Sequence, residues 1–239
     1  MQPTLRTIAG ELERALGSLF EEEIKISGAG RTDTGVHASG QVVSFTTSRS
    51  FPFERLAIAL NSVLPHDLSV RDVTLVPPEF SARFSARERT YVYAILNRRD
   101  RSALLAHSAY HVYRARLDLA AMRVAAEHLI GERDFRSFCG VLPDGGITVR
   151  TVRSLAIEMR GDLVRVQISA DGFLHRMVRT IVGTLVECGL GRREPDALPS
   201  ILAARARRAA GLTAPAHGLY LAGVRYDGYD SYAEPPLFA

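Results

Sequence analysis

The stretch ITVRTVRSLAIEMRGDLVRVQISA, residues 147–170, indicates how the second half of the chain folds. Two strand-like runs, 147–159 and 163–170, are separated by Arg160, Gly161 and Asp162, a short polar link typical of a hairpin turn. The second run has one buried face, because alternate positions carry aliphatic side chains: Val164, Val166, Ile168 and Ala170. The sequence therefore predicts an antiparallel hairpin.

Helices and strands on either side of this hairpin complete a pattern. Asp118 and Gly131 provide an N-cap and a stop for the helix between them. Apolar spacings of three and four predict helices, and β-rich runs predict strands: helices at 119–130, 174–188 and 197–210, strands at 109–114 and 219–226. The resulting order, βαββαβ with a helix inserted before the last strand, is typical of ferredoxin-like and RNA-recognition domains.

The first half has the order αββαββ and so lacks the opening strand of that pattern. Its predicted elements are a helix at 5–19 with Thr4 as N-cap, a helix at 52–63 starting at Pro52, and strands at 24–27, 41–46, 68–76 and 89–97. Alternation in the last strand places Tyr91, Tyr93 and Ile95 on one face. An arginine-rich break at Arg98, Arg99 and Arg101 sets the predicted domain boundary, giving domains 1–104 and 105–239.

The composition describes a globular protein that needs no staple. The chain has 239 residues, 46% hydrophobic and 23% charged, enough to bury a sizeable core. Cys139 and Cys188 lie in no metal-binding or disulfide-type spacing, so both are predicted to be free thiols. No metal site is expected, because the seven histidines form no paired ligand motif. The first residues show no basic stretch followed by an apolar core, and the sequence has no 18-residue apolar run, so we expect a cytoplasmic protein with no signal peptide and no membrane span.

The basic residues are almost all arginine. The formal net charge is +4, and Lys25 is the single lysine among thirty Lys and Arg residues. Arginine suits phosphates and base edges better than lysine does, which favours a nucleic-acid partner. Codon bias in a GC-rich genome explains the same composition, and arginine clusters often only solvate a surface, so both interpretations stay open.

A glycine-rich segment, GAGRTDTGVHA at residues 28–38, is the clearest candidate for a functional loop. It is neither a phosphate-binding loop nor a dinucleotide fingerprint, because it lacks GK[ST] and has Asp33 where a third glycine would stand. An aspartate in such a loop is either a turn residue or a reactive carboxylate kept ionised by its neighbour Arg31. Spacing alone does not choose between the two.

Longer segments resemble a known enzyme family. The run GAGRTDTGVHASGQVVSF, residues 28–45, resembles the active-site segment of the tRNA pseudouridine synthase A family. Further segments resemble that family in the same order along the chain: FSARFSA at 80–86, RTYVY at 89–93, GERDFRSF at 131–138, FLHRMVR at 173–179, IVG at 181–183 and GLYL at 218–221. The resemblance covers nearly the whole chain.

The resemblance implies roles for individual residues. Asp33 is identified as the nucleophile and Arg179 as its basic partner, although on helical periodicity alone Arg179 is an exposed cation. Tyr91 is implied to stack on the target base, with a core tyrosine as the alternative. Arg31 is implied to assist base extrusion, or to be a structural partner of Asp33, and His37 is expected beside the substrate as a hydrogen-bonding or packing residue.

The implied function is isomerisation of uridine to pseudouridine at positions 38–40 of the tRNA anticodon stem-loop, without a cofactor, by a homodimer. The implied fold is α+β, with two ferredoxin-like halves and mainly antiparallel sheets flanking a basic cleft. The family normally begins with a strand ahead of the first helix, so the resemblance implies an N-terminally shortened member. The alternatives are a catalytically silent RNA-binding module and, less favoured, a hydrolase using a carboxylate pair.

Overall fold

A computed structural model describes residues 6–239 of the chain. The helices are α1 (Ile8–Phe20), α2 (Phe53–Val63), α3 (Leu119–Glu127), α4 (Met177–Gly189) and α5 (Leu198–Ala204). The strands are β1 (Ser27–Gly28), β2 (His37–Ala38), β3 (Val43–Ser44), β4 (Glu88–Leu96), β5 (Tyr110–His111), β6 (Gly131–Asp134), β7 (Val149–Arg160), β8 (Leu163–Ala170), β9 (Leu219–Tyr226) and β10 (Tyr229–Asp230). No helix among residues 6–239 is long and apolar enough to cross a membrane.

The chain forms two compact units. Residues 6–31 and 42–85 make a helical unit, and residues 32–41 and 86–239 make a sheet unit. The domains predicted from the sequence, 1–104 and 105–239, stay a prediction. The compact units divide the chain elsewhere, because β4 pairs along its length with β8 and with β9 and so shares their sheet.

An eight-stranded, mainly antiparallel sheet forms the sheet unit, which confirms the predicted α+β class. Its main path runs β10-β9-β4-β8-β7-β6, while β2 pairs in parallel with β9 and β5 in parallel with β4. The predicted hairpin is confirmed, since β7 and β8 pair from Val152 with Ala170 to Arg160 with Leu163. Gly161 turns the chain between them with a φ of 61°, a conformation that favours glycine.

Helices cover the sheet unit where the periodicity places them, with shifted ends. The side chain of Asp118 caps α3, accepting bonds from the backbone N–H groups of Ala120 and Ala121 at 2.9 and 3.0 Å. The helix then stops before Gly131, whose φ is 92°. The predicted start of α4 at residue 174 is wrong by three residues, and the predicted helix at 197–210 is shortened to α5.

The helical unit is held by α1 and α2. Thr7 caps α1 through a bond from Gly10 N at 3.1 Å, and the predicted cap, Thr4, lies outside the described residues. Apolar side chains from both helices and the following segment form its core: Leu12, Leu16, Phe20, Ile24, Leu56, Leu60 and Leu64. The predicted strands at 24–27 and 41–46 shrink to the two-residue pair of β1 with β3.

The predicted strand at 68–76 does not form, and the reason is visible at Asn61. Its side chain donates to the carbonyl of Val70 and accepts from the Val70 N–H, both at 2.7 Å. An amide side chain thus takes the place that a neighbouring strand would fill. The apolar pattern was nevertheless meaningful, because Leu68, Val70 and Val73 pack against the core of the helical unit.

Candidate active site

A tight turn begins the loop that carries Asp33 in the sheet unit. The Val36 N–H donates to the Asp33 carbonyl at 3.0 Å, and Gly35 sits within the turn at a φ of 82°. A side chain at residue 35 would strain this backbone. After the turn, β2 pairs in parallel with β9, so the carboxylate is attached to the edge of a regular sheet.

Glycine at position 40 lets this loop approach β9 closely. The N–H groups of Ser39 and Gly40 both donate to the Leu221 carbonyl, at 3.0 and 3.1 Å. A Cβ at residue 40 would lie 2.1 Å from the Ala222 carbonyl oxygen, which leaves no room for any other residue. The register of β4 against β9 skips Ala222, and this bulge accommodates the approaching loop.

Asp33 and Arg179, 146 positions apart in sequence, form a close ion pair within the sheet unit. Arg179 Nη1 donates to Asp33 Oδ2 at 2.6 Å, and the side chains are 14% and 26% exposed. Arg179 lies in the first turn of α4 and also donates through Nε to the Ala214 carbonyl at 2.8 Å. Two fixed acceptors orient the guanidinium, so Arg179 is no freely solvated cation.

The segment that supplies the Ala214 carbonyl is itself held tightly against α4. A Cβ at Gly183 would lie 1.8 Å from the Leu212 carbonyl oxygen, so only glycine permits this contact. Thr184 Oγ1 accepts from the Gly211 N–H at 2.9 Å. Arg207 donates to the Gly211 carbonyl at 2.9 Å. These contacts fix the position of the Ala214 carbonyl and so orient the guanidinium of Arg179.

Two further basic side chains approach Asp33 from the residues just before α4. His175 Nε2 lies 3.6 Å from Asp33 Oδ1, and Arg176 Nε lies 3.9 Å from Asp33 Oδ2. Arg176 adopts a φ of 60°, a conformation uncommon outside glycine. Sequence reasoning placed both residues inside a helix and missed their approach to the carboxylate. The chain turns there instead, and no periodicity signal reports such a turn.

Tyr91 is buried beside this ion pair. Its ring meets the ring of Phe173 edge to face, with centroids 5.1 Å apart. Burial, aided by the charge of Asp33, raises the pKa of the Tyr91 hydroxyl to about 12. On the same face of β4, Tyr93 donates to the Pro215 carbonyl at 2.7 Å, and burial also raises its pKa.

His37 contacts protein groups along the loop. Its ring stacks on that of Tyr220 with centroids 4.8 Å apart, and its Nε2 lies 2.8 Å from the His107 carbonyl oxygen. The hydroxyl of Tyr220 donates to the next carbonyl, of Ser108, at 2.8 Å. His37 therefore joins β2 to the segment that precedes β5. Its predicted place beside a substrate stays a prediction.

Arg31 is exposed and belongs to the helical unit, whereas Asp33 belongs to the sheet unit. Within the sheet unit, the basic side chains next to the carboxylate are Arg179, His175 and Arg176. The role of Arg31 in base extrusion stays a prediction.

The thiols lie apart from this chemistry. Cys139 and Cys188 are both free and buried, and burial raises the pKa of each. Across residues 6–239, no group of three or more His, Cys, Asp or Glu side chains is arranged to hold a metal ion.

Comparison with known proteins gives a consistent result. A family model described as tRNA pseudouridine synthase matches residues 2–85 and 125–227. A protein of Caldicellulosiruptor bescii named tRNA pseudouridine synthase A is 43% identical over 225 residues, which cover 94% of this chain and 92% of that protein. Proteins of the same name from Halalkalibacterium halodurans and Bacillus subtilis are 46% identical over 220 residues and 44% identical over 229. Those matches cover 92% and 95% of this chain and 83% and 92% of the two relatives.

Proposed function

The chain belongs to the tRNA pseudouridine synthase A family of isomerases, and we propose that it converts uridine to pseudouridine at positions 38–40 of the tRNA anticodon stem-loop. The observation that carries the proposal is the Asp33–Arg179 ion pair, a partly buried carboxylate held by a fixed guanidinium beside a buried tyrosine.

The proposed reaction is balanced without an outside group. The N1–C1′ bond of uridine breaks, the uracil turns, and a C5–C1′ bond forms. The C5 proton leaves, and N1 gains a proton. One bond to C1′ replaces another with no net oxidation, so the reaction as written requires no cofactor and no metal.

Asp33 is proposed as the nucleophile that holds the intermediate while the base turns. Arg179 binds Oδ2 at 2.6 Å, which leaves Oδ1 as the oxygen directed to the substrate. His175, 3.6 Å from Oδ1, would orient that oxygen or the substrate group next to it. The ion pair thus separates the two carboxylate oxygens into one that is anchored and one that reacts.

Tyr91 is proposed to hold the target base by its ring. A pKa of about 12 keeps the hydroxyl protonated at neutral pH, so it acts as a hydrogen-bond donor and not as a phenolate base. The uridine must leave its stack to reach this ring, which costs a few kcal/mol. Exposed Arg31 is the candidate to assist extrusion, and His37 would hold the loop of Asp33 in place.

Tritium release from C5-tritiated uridine in unmodified tRNA tests this proposal. The wild-type chain should release tritium, whereas Asp33→Ala and the isosteric Asp33→Asn should not, while both variants retain tRNA binding. Asp196→Ala, at an 88% exposed carboxylate, is the matched control and should stay active. Mapping the modified positions then checks 38–40.

The outcomes separate the alternatives. Binding without tritium release by the wild-type chain would favour a silent RNA-binding module and overturn the proposed function. Release of free uracil would indicate a hydrolase. Sedimentation velocity of the same preparations tests the homodimer that the family resemblance implies.

A further inference from the structure

An exposed apolar loop, residues 141–147, lies between the buried Cys139 and the start of β7. Val141, Leu142 and Ile147 are 64%, 46% and 67% exposed, in a segment with a single carboxylate, Asp144. Three large apolar side chains grouped on one exposed loop are unusual for a surface with no partner.

Contacts at Gly140 place the apolar loop next to the candidate active site. The Gly140 N–H donates to the His175 carbonyl at 2.8 Å. A Cβ at residue 140 would lie 2.8 Å from His175 Nδ1 and 3.3 Å from Arg176 Cδ. His175 and Arg176 both lie within 4 Å of the Asp33 carboxylate. The apolar loop therefore starts one residue after Gly140, which contacts both of them.

Three arginines surround the base of the apolar loop. Arg136 and Arg150 lie close enough to the Cys139 sulfur for their charges to counter part of the rise in its pKa, and Arg176 borders Gly140. Arg150 donates to the Ile147 and Val149 carbonyls at 3.3 and 2.6 Å.

These arginines have few close carboxylate partners among residues 6–239. Within residues 6–239, Arg136 and Arg150 form no ion pair with a carboxylate, and Arg176 reaches only Asp33, at 3.9 Å. Asp134, the nearest carboxylate in sequence to Arg136, is paired with Arg205 at 2.9 Å, and the charge of Arg136 also helps to lower the pKa of Asp134. The surface around the loop is therefore positively charged as well as apolar.

We propose that the apolar loop and the three arginines bind the RNA strand that carries the target uridine, with the arginines on its phosphates and the apolar side chains against an unstacked nucleobase. The inference rests on the proposed function. Extruding a base exposes the apolar face of its neighbour, and apolar side chains inserted at such a step stabilise the unstacked state. The phosphates of an RNA strand supply the negative charges that would pair with these arginines.

A pair of double variants tests the apolar contact. The measured quantity is the single-turnover rate constant divided by the half-saturating tRNA concentration. Val141→Ser with Ile147→Ser should lower this ratio about tenfold, because each change removes apolar area from the contact. The matched control is Val124→Ser with Ile130→Ser. Val124 lies in α3 and Ile130 follows it, and their side chains are 45% and 38% exposed. The control should stay within twofold of wild type.

A fluorescent base separates base contact from general RNA affinity. An anticodon stem-loop RNA with 2-aminopurine next to the modified uridine should brighten on binding wild type or the control, because unstacking relieves quenching, and should brighten less with the loop variant. Arg136→Gln should reduce the slope of log affinity against log salt by about 1, whereas Arg133→Gln should not.

Each outcome decides something. An inactive wild-type chain overturns the proposed function. An active wild type whose loop variant matches the control in rate and fluorescence overturns this inference alone. Unchanged RNA behaviour with a changed sedimentation coefficient would identify the loop as a self-association surface, and would also overturn it.

Discussion

The sheet unit and the helical unit hold their backbones in different ways. In the sheet unit, strands of eight to twelve residues pair over long registers interrupted by single bulges, and the Asp33 loop joins the sheet through β2. In the helical unit, β1 and β3 pair over two residues only, and the core between α1 and α2 provides most of the fixed structure.

The difference explains where the candidate site lies. An ion pair of 2.6 Å between residues 146 positions apart requires both backbones to be fixed, and long hydrogen-bonded strand pairs and tight glycine contacts fix them. Arg31 in the helical unit is exposed, and its proposed contact with RNA stays a prediction. Substitutions at the ion pair should therefore affect catalysis, and substitutions in the core of α1 and α2 should affect stability.

The largest expected effect is at Arg179. Arg179→Gln removes the charge opposite Asp33 while keeping an amide that can reach the Ala214 carbonyl, so tritium release should fall about 1,000-fold. Thermal unfolding measured by circular dichroism should shift little. Arg123→Gln, which removes an exposed guanidinium bonded to the Ile157 carbonyl, is the control. Near-wild-type activity in Arg179→Gln would show that the ion pair is structural.

In the helical unit, the largest effect should be on stability. Leu16 is 1% exposed at the centre of the α1–α2 core, and Leu16→Ala should cost about 3 kcal/mol through lost burial and an unfilled cavity. Hydrogen exchange should rise in residues 6–31 and 42–85 first. Ile8→Ala, at a half-exposed position of the same helix, should cost less than about 1 kcal/mol. Equal acceleration in both units would contradict separate cores.

The sequence predicted the elements of the sheet unit better than those of the helical unit. The long strands β4, β7, β8 and β9 were predicted to within two residues, because alternation is a strong signal where one face is buried. The strand at 68–76 was wrong because a side chain, Asn61, satisfies the backbone that a strand would have paired.

Within the site, resemblance identified Asp33, Tyr91 and Arg179, and the structure brings them together. The approach of His175 and Arg176 to Asp33 was not predictable, since it depends on a left-handed residue at the start of α4 that no apolar spacing reports. The carbonyls of Ala214 and Pro215 were likewise hidden, because any residue type offers a carbonyl.

Alkaline titration should single out the sheet unit. The pKa of Tyr91 is about 12 in the folded chain, above its ordinary value of 10, so folding favours the protonated hydroxyl. The stability it contributes is present below pH 10 and is lost as pH rises toward 12, by roughly 2 to 3 kcal/mol. The free energy of unfolding of Tyr91→Phe, measured in urea, should therefore fall less steeply with pH over that range. Tyr113→Phe, at an exposed ring, should follow wild type.

The smallest expected effect tests whether a side chain can stand in for a strand. Asn61→Ala leaves both backbone groups of Val70 without their partner, but this site is exposed and water replaces the lost bonds, so the cost should be about 1 kcal/mol. Asn61→Asp keeps the acceptor for the Val70 N–H and loses the donor, and should cost less than alanine. Hydrogen exchange at Val70 should quicken in Asn61→Ala while α1 stays protected. No change at Val70 would mean that the apolar contacts of residues 68–73 alone hold this segment, and the helical unit would then depend on its core even where its backbone is paired.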